Sequence, residues 1–287
     1  MAGYDDDEAD DFCTVLGYQA LISSFVAFVF IRHGLIPMLL NKLRGSTLNK
    51  TQRGLLANHL ISYLHALYST NVVLALFFNY PSLFVDLQGV RSGAAAVDAA
   101  RKALAFSTGY FYADCFDMLV TGVYRNNLGI WGHHAAALIC YTASLHTCLL
   151  YPYLVFTLIV ELNSIFLHHR KVLALYYPMD KIAMPETLSQ TYDIATKLLL
   201  WTFPPTRLFA NLYILYAVVM DRKTWEAPSW TWTLAFVGML VVTYYNFGLW
   251  AQVKKSVERD RAKRANAAGA EKKSDDWLGQ SGTELID

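Results

Sequence analysis

The sequence predicts an all-α polytopic membrane protein, a bundle of about seven transmembrane helices, and three observations predict it. Hydrophobic residues make up 55% of the 287 residues and charged residues 16%. Apolar runs reach the roughly 20 residues that a spanning helix needs. Prolines recur near the ends of those runs, at Pro81, Pro152, Pro178, Pro185 and Pro228, where a missing N–H costs little. An ordinary soluble domain has neither the composition nor the unbroken runs.

Taken in order, residues 1–14 form an acidic head (Asp5, Asp6, Asp7, Glu8, Asp10 and Asp11) expected outside the cytoplasm. That head has no basic n-region, so the run over 15–38 reads as a retained helix rather than a cleaved signal. With its basic loop it fills residues 15–49. Residues 50–255 read as one domain of six further spans, over 55–79, 103–124, 129–150, 152–176, 192–220 and 229–251. Residues 256–287 form a charged tail expected in the cytoplasm, too polar to fold alone and hence disordered. Lys42, Arg44, Lys50, Arg53, Arg125, Arg170, Lys171, Lys181 and the tail cations fall on one side of this scheme. Only Arg91, Arg101, Lys102, Arg222 and Lys223 fall on the other, as the positive-inside rule requires.

The near-neutral balance, acidic at the head and basic at the tail, gives nucleic acid no foothold, and a juxtamembrane basic segment suits anionic lipid instead. Cys13, Cys115, Cys140 and Cys148 have no CxxC spacing and are expected to be packing residues. No two of the eight histidines are three or four residues apart, as helical metal sites require, so no metal is expected. No phosphate-cradling glycine loop appears, and no cofactor is expected.

Ionisable residues inside the apolar runs mark the candidate site. A charge at the centre of a bilayer costs at least about 2.5–3.5 kcal/mol, so such residues face a bundle interior and mark function. Residues three and four apart share a helix face, and on this test three stripes emerge. One runs Asn58, Ser62, His65, Ser69, another Ser107, Tyr110, Asp114, Asp117, Thr121, and the third Thr157, Glu161, Ser164, His168. His133 and His134 are adjacent and so about 100° apart, which lets one point inward while the other braces a neighbour. Counting the rise along each helix brings these groups to similar depth in one half of the bundle. The expected cavity is lined by His65, Tyr110, Asp114, Asp117, His133, His134, Glu161, Ser164, His168 and Arg207. Arg207 follows Pro204-Pro205, where an acidic partner such as Glu161 or Asp114 is expected. Arg32, Arg170 and Lys197 read as snorkelling cations at the boundary.

Histidine beside a carboxylate is a general acid/base arrangement. Were the chain an enzyme, His133, His134, Asp117 and Glu161 would be its catalytic residues, in an acyl transfer from a cytosolic thioester. A cavity of this depth offers apolar space to an acyl chain and water to the thioester.

At these residues the chain resembles the TLC (TRAM, LAG, CLN8 homology) domain family. The likeness lies in the stretch from Ser107 to Leu119, the pair His133-His134, the stretch from Glu161 to Arg170, and Arg207 after an aromatic-rich run. It covers about residues 50–255 and is strongest toward the small plasma-membrane members, the calfacilitin-like group. Ceramide synthases share the domain, with a second histidine pair downstream of the first. Here Ile139 stands five residues beyond His134 and no second pair occurs at that interval.

The resemblance therefore implies a regulator of membrane phospholipid acyl composition and fluidity, binding a lipid or acyl-CoA in the intramembrane cavity. A ceramide-synthase-like acyltransferase using His133 and His134 is one alternative, and a membrane adaptor or channel modulator is the other. Membrane lipids are the expected partners. The sequence after Lys273 carries neither KDEL nor a dilysine signal, which favours the plasma membrane over the endoplasmic reticulum.

Overall fold

In the computed structural model the described backbone comprises residues 6–44, 48–88, 92–177, 184–225 and 227–281, with side chains described over 15–42, 48–88, 92–177, 184–225 and 227–263. The helices are α1 (Asp6–Phe30), α2 (Ile36–Arg44), α3 (Lys50–Asn79), α4 (Ser82–Val85), α5 (Ala94–Thr121), α6 (Leu128–Thr147), α7 (Tyr151–Thr157), α8 (Val160–Tyr176), α9 (Glu186–Phe203), α10 (Ala210–Met220) and α11 (Ser229–Ser281). The protein is all-α among the described residues. Helix α11 continues through the segment expected as a disordered tail. The acidic head from residues 1–14 lies outside the described side chains.

Four helical stretches among the described residues are long and apolar enough to cross a membrane: Val15–Lys42, Lys50–Asn79, Tyr151–Tyr176 and Ser229–Lys263. The expected bundle of about seven transmembrane helices is corrected to four. The three runs that drop out are helical but fail as autonomous spans, each for a visible reason. Helix α5 carries Asp98, Arg101, Lys102, Asp114 and Asp117, and α6 carries His133, His134 and His146. The predicted span over 192–220 is interrupted, because a wide π-helical turn over Pro204–Phe209 divides α9 from an 11-residue α10. Counting apolar residues alone overlooks the polar load, which protein contacts shelter instead of lipid.

Local chemistry sets the boundaries. Asn49 caps α3 by accepting from Gln52 N at 2.8 Å while the Gln52 side chain accepts from Asn49 N at 3.2 Å, a reciprocal capping box. Asn127 caps α6 through Ile130 N, accepting at 3.2 Å. Gly122 ends α5 at φ 69, the left-handed cap that glycine adopts without strain. Both π turns accompany prolines. Pro37 has no N–H to return to the carbonyl of residue 33, and the turn over Ile31–Leu35 widens so that Ile36 N bonds Ile31 O instead. Pro204 and Pro205 do the same before α10, where Ala210 N bonds Pro205 O.

Helix α1 packs along α5, α3 lies between α5 and α8, α8 packs on α9, and α6 bridges α5 to α11. The α1–α5 approach is backbone on backbone. A Cβ at Gly109 would stand 2.5 Å from the Leu21 carbonyl and 2.6 Å from Ser24 Cβ, and Ser24 Oγ donates to Phe106 O at 2.6 Å. Small residues permit this contact, which apolar lipid tails cannot compete away. The expectation that all four cysteines are packing residues is corrected in part. Cys115 and Cys140 are free, Cys148 is disulfide-bonded, and Cys13 lies outside the described side chains.

Gly109→Ala is expected to push α1 off α5 and to destabilise the protein by about 1–3 kcal/mol, the usual cost of overpacking. Thermal unfolding of the detergent-solubilised protein measures this. An unchanged melting temperature would mean that the helices are free to separate at this point.

Candidate functional site

The two carboxylates of α5 organise one half of the bundle. Asp114 and Asp117 are three residues apart and share a face. Asn58 of α3 reaches both, its Nδ2 donating to Asp114 Oδ1 at 2.7 Å and to Asp117 Oδ2 at 3.4 Å. His134 Nε2 lies 2.8 Å from Asp114 Oδ2, and its Nδ1 lies 2.9 Å from the Ile130 carbonyl. Both ring nitrogens therefore face acceptors, which calls for two N–H donors and an imidazolium–carboxylate pair. Asp117 is met from the end of α1, where the π turn swings two residues onto it. Arg32 Nε stands 3.0 Å from Asp117 Oδ2 and His33 Nε2 3.4 Å from Oδ1, and Arg32 Nη2 also donates to Gly54 O at 3.2 Å. Arg32 is thus a buried ion-pair partner, not the snorkelling cation expected.

Above this centre, His65 stacks on Tyr110 with ring centroids 3.8 Å apart and shares a hydrogen bond with Ser69 at 2.9 Å. Tyr110 Oη donates to Ser62 Oγ at 2.8 Å. These contacts join the stripes of α3 and α5 into a packed polar seam. His168 belongs elsewhere, its Nδ1 lying 3.2 Å from His59 Nδ1, while Tyr124 Oη lies 3.3 Å from His59 Nε2. Arg170 is likewise no snorkelling residue. It is buried and clasps α9 and α11 through Tyr192 at 3.0 Å, Ser256 at 3.0 Å and the Asp260 carboxylate.

Arg207 sits in the second π turn, buried, with an unexpected partner set. Its Nε donates to Asn163 Oδ1 at 3.0 Å, Nη2 to Ser164 Oγ at 2.6 Å and Nη1 to Asn246 Oδ1 at 3.3 Å. All three acceptors are neutral. Among the described residues Arg207 has no ion pair with Glu161 or Asp114, which corrects the acidic partner expected. Glu161 faces its charge and that of His134 without a direct pair. Asn163 is fixed for the task, its own amide donating to Leu199 O and Thr202 Oγ1, each at 2.8 Å.

Two cavities meet at His133. One, of about 160 Å³, is lined by the polar side chains of His133, His134, Arg207, Tyr245 and Asn246 together with apolar Ile130 and Leu249, at the Asn127 and Gln252 end of α6 and α11. The other, of about 50 Å³, runs on between α6, α8, α10 and α11 and is almost wholly apolar, with His133 and Glu161 as its ionisable lining. Some donors near the polar-lined cavity are not used in full. A guanidinium has five N–H groups, of which the bonds above occupy three. Asn246 Nδ2 is buried without a partner among the described residues.

The structure thus gathers His133, His134, Glu161 and Arg207 about the two cavities, with Ser164 bonded to Arg207. Asp114 touches them only through His134, and Asp117, His65 and Tyr110 lie within the packed seam. Sequence reasoning missed Arg32, Asn163 and Asn246 as members of these networks. A solitary asparagine in an apolar run was a usable signal for Asn246. The π turn that aims Arg32 had none in the 3.6-residue period.

Residues 56–251 match the sequence profile of the TLC domain, described as TRAM_LAG1_CLN8. The chain is 26% identical over 195 residues to TLC domain-containing protein 2 of Danio rerio, covering 68% of this chain and 73% of that one. It is 28% identical over 182 residues to TLC domain-containing protein 2 of Mus musculus, covering 63% of this chain and 54% of that one. No solved structure matches.

The buried pair predicts a double-mutant result. Asp117→Leu and Arg32→Met should each destabilise the protein by about 3–5 kcal/mol, since each leaves an uncompensated buried group. The double variant should recover most of that loss. Strictly additive losses in chemical denaturation would show that the two charges do not depend on one another.

Proposed function

The chain belongs to the TLC domain family, and on that premise we propose that it regulates the acyl composition and fluidity of membrane phospholipids by binding a lipid or acyl-CoA at the junction of the two cavities. The finer likeness to the small calfacilitin-like proteins of the plasma membrane is part of this reading. One observation carries it: Arg207, whose hydrogen-bond acceptors are all neutral, lines a cavity that adjoins, at His133, an apolar slot. That pairing suits an amphiphile with an acceptor-rich, anionic head and a hydrocarbon tail. A phosphate or carboxylate would take charge-assisted hydrogen bonds from Arg207, and the slot would take the chain.

In this reading the Asn127 end of α6 faces the cytoplasm, where acyl-CoA is delivered. Two features support that sidedness. The basic residues of α11 extend from the same end. The disulfide-bonded Cys148 lies beside the Tyr151 end of the span Tyr151–Tyr176, whose other end meets the basic end of α11 through Arg170 and Ser256, and disulfides persist on the oxidising side of a membrane.

A second reading, acyl transfer, draws on the His134–Asp114 pair, but that pair narrows it. Both nitrogens of His134 are occupied by acceptors, so it has no free lone pair with which to take a proton. His133 has no hydrogen bond among the described residues and lines both cavities, so of the two histidines it is the one placed to act as a base, with Glu161 the other ionisable group of the slot. An acyltransferase would release free coenzyme A as it forms an N- or O-acyl product.

Removing the protein from cells should change the acyl composition of their phospholipids, and His133→Ala or Glu161→Gln at equal expression should reproduce much of the change. Lipidomics reads this directly, and either variant matching wild type would refute the role assigned to that residue. Acyl product formed in vitro from acyl-CoA and an acceptor would establish the enzyme reading. A lipid profile that depends on His133 with no such product would favour the regulator.

A further inference from the structure

The apolar slot does not end in the middle of the bundle. A second, smaller apolar cavity of about 30 Å³ continues toward Thr147 and Trp230, and the two share Cys140, Tyr153, Leu154 and Ala235 as lining. Those shared residues form the neck between them. On α6 the neck lies seven residues beyond His133 and seven before Thr147, or about 10 Å each way at 1.5 Å per residue. The polar cavity, slot, neck and far cavity thus line up along one path beside α6, whose strongly polar end is the one at Arg207.

At Cys140 that path is hemmed in by α11. A Cβ at position 238 would stand 2.6 Å from Cys140 Sγ, so only glycine fits opposite the sulfur. The thiol also points across the interface to the Leu234 carbonyl, at 4.0 Å, a weak S–H contact that holds its rotamer. Side-chain bulk at residue 140 is therefore clamped on α11 and cannot swing out of the neck. Gly238 lines the slot on one side of that neck, and Ala235 lines both cavities.

We propose that the Cys140–Gly238 neck gauges the length of the acyl chain, admitting the tail of a ligand whose head is held at Arg207 and stopping or passing it according to the bulk at residue 140. This rests on the acyl-binding reading above. Selection at the neck is steric rather than hydrophobic, since lipid tails gain nothing by leaving one apolar medium for another. A chain one or two methylenes too long must overpack the neck, which lowers its binding at least about fivefold.

The test is native mass spectrometry of the full-length protein, equilibrated in detergent with an equimolar mixture of straight-chain fatty acids differing in length by two carbons. Wild type should retain a restricted range of lengths. Cys140→Ala should extend that range to longer chains, and Cys140→Phe should cut the longest chains at least about fivefold relative to the shortest. Ala235→Val narrows the same neck from α11 and should act in the same direction as Cys140→Phe, which guards against a misfolded variant. Bound chains with an unaltered length distribution in all three variants would overturn the gauge and leave the binding reading intact. No bound acyl species on folded wild type would overturn both.

Discussion

The fold depends on neutralising two carboxylates, one helical turn apart, in the middle of a membrane bundle. An ion removed from water loses several kcal/mol of solvation, and its partner offsets that only where geometry and further hydrogen bonds are good. Asp114 and Asp117 draw on three other elements to meet that demand. Helix α3 supplies Asn58 between them, α6 supplies His134, and the π turn after α1 supplies Arg32 and His33. Each partner can reach its carboxylate in one register only, so the ion network fixes how α1, α3 and α6 sit on α5. The close backbone contact at Gly109 depends on that register. Sliding α1 by one residue would turn Arg32 away from Asp117.

This constraint divides the molecule into a packed half and a hollow half. Around α1, α3 and α5 polar groups pack on one another, through the stacked His65 and Tyr110 and the hydroxyls of Ser62 and Ser69, while Arg32 Nε, Asp117 Oδ1 and Thr70 Oγ1 are buried without a hydrogen bond among the described residues. Around α6, α8, α10 and α11 lie the cavities. The adjacent histidines of α6 stand at the boundary, and their 100° separation gives them opposite tasks. His134 turns back to Asp114 and anchors α6, whereas His133 turns to the open side. His134 could not do both, because one ring nitrogen meets Asp114 and the other is taken by the Ile130 carbonyl.

Much of this is legible in the residues, and the remainder is hidden for definite causes. The 3.6-residue stripes correctly group Asn58 with His65 and Asp114 with Asp117, since helical period alone decides shared faces. Prolines mark helix ends for a similarly local reason. Span number is overestimated when apolar content is counted, because the membrane discriminates on polar load per helix, and α5, α6 and α9 carry theirs inside a protein shell. Arg32 escapes a periodic reading because a π turn adds a residue to the period and re-aims the side chains beyond it. Pairwise reasoning sends Arg207 to a carboxylate, but its neighbours Asn163 and Ser164, themselves oriented by α9 and α8, reach it first.

The contrast between the two buried arginines bears on how such a bundle can be both stable and receptive. Arg32 is matched by a full negative charge, so its field is largely cancelled and its position is set. Arg207 is held by neutral oxygens, which satisfy hydrogen-bond directions but leave the net charge in place. In a low-dielectric interior an uncancelled charge attracts a counter-charge far more strongly than it would in water. Glu161 acts on it at longer range but makes no direct ion pair with it among the described residues. Under the lipid-binding proposal, an anionic head would meet a guanidinium whose hydrogen-bond acceptors are all neutral, and its departure would restore a state already held by three hydrogen bonds. Binding of that kind is reversible because neither state leaves the arginine without partners. The same bundle thus fixes one cation with an ion pair to define its register and suspends another on dipoles so that it remains available.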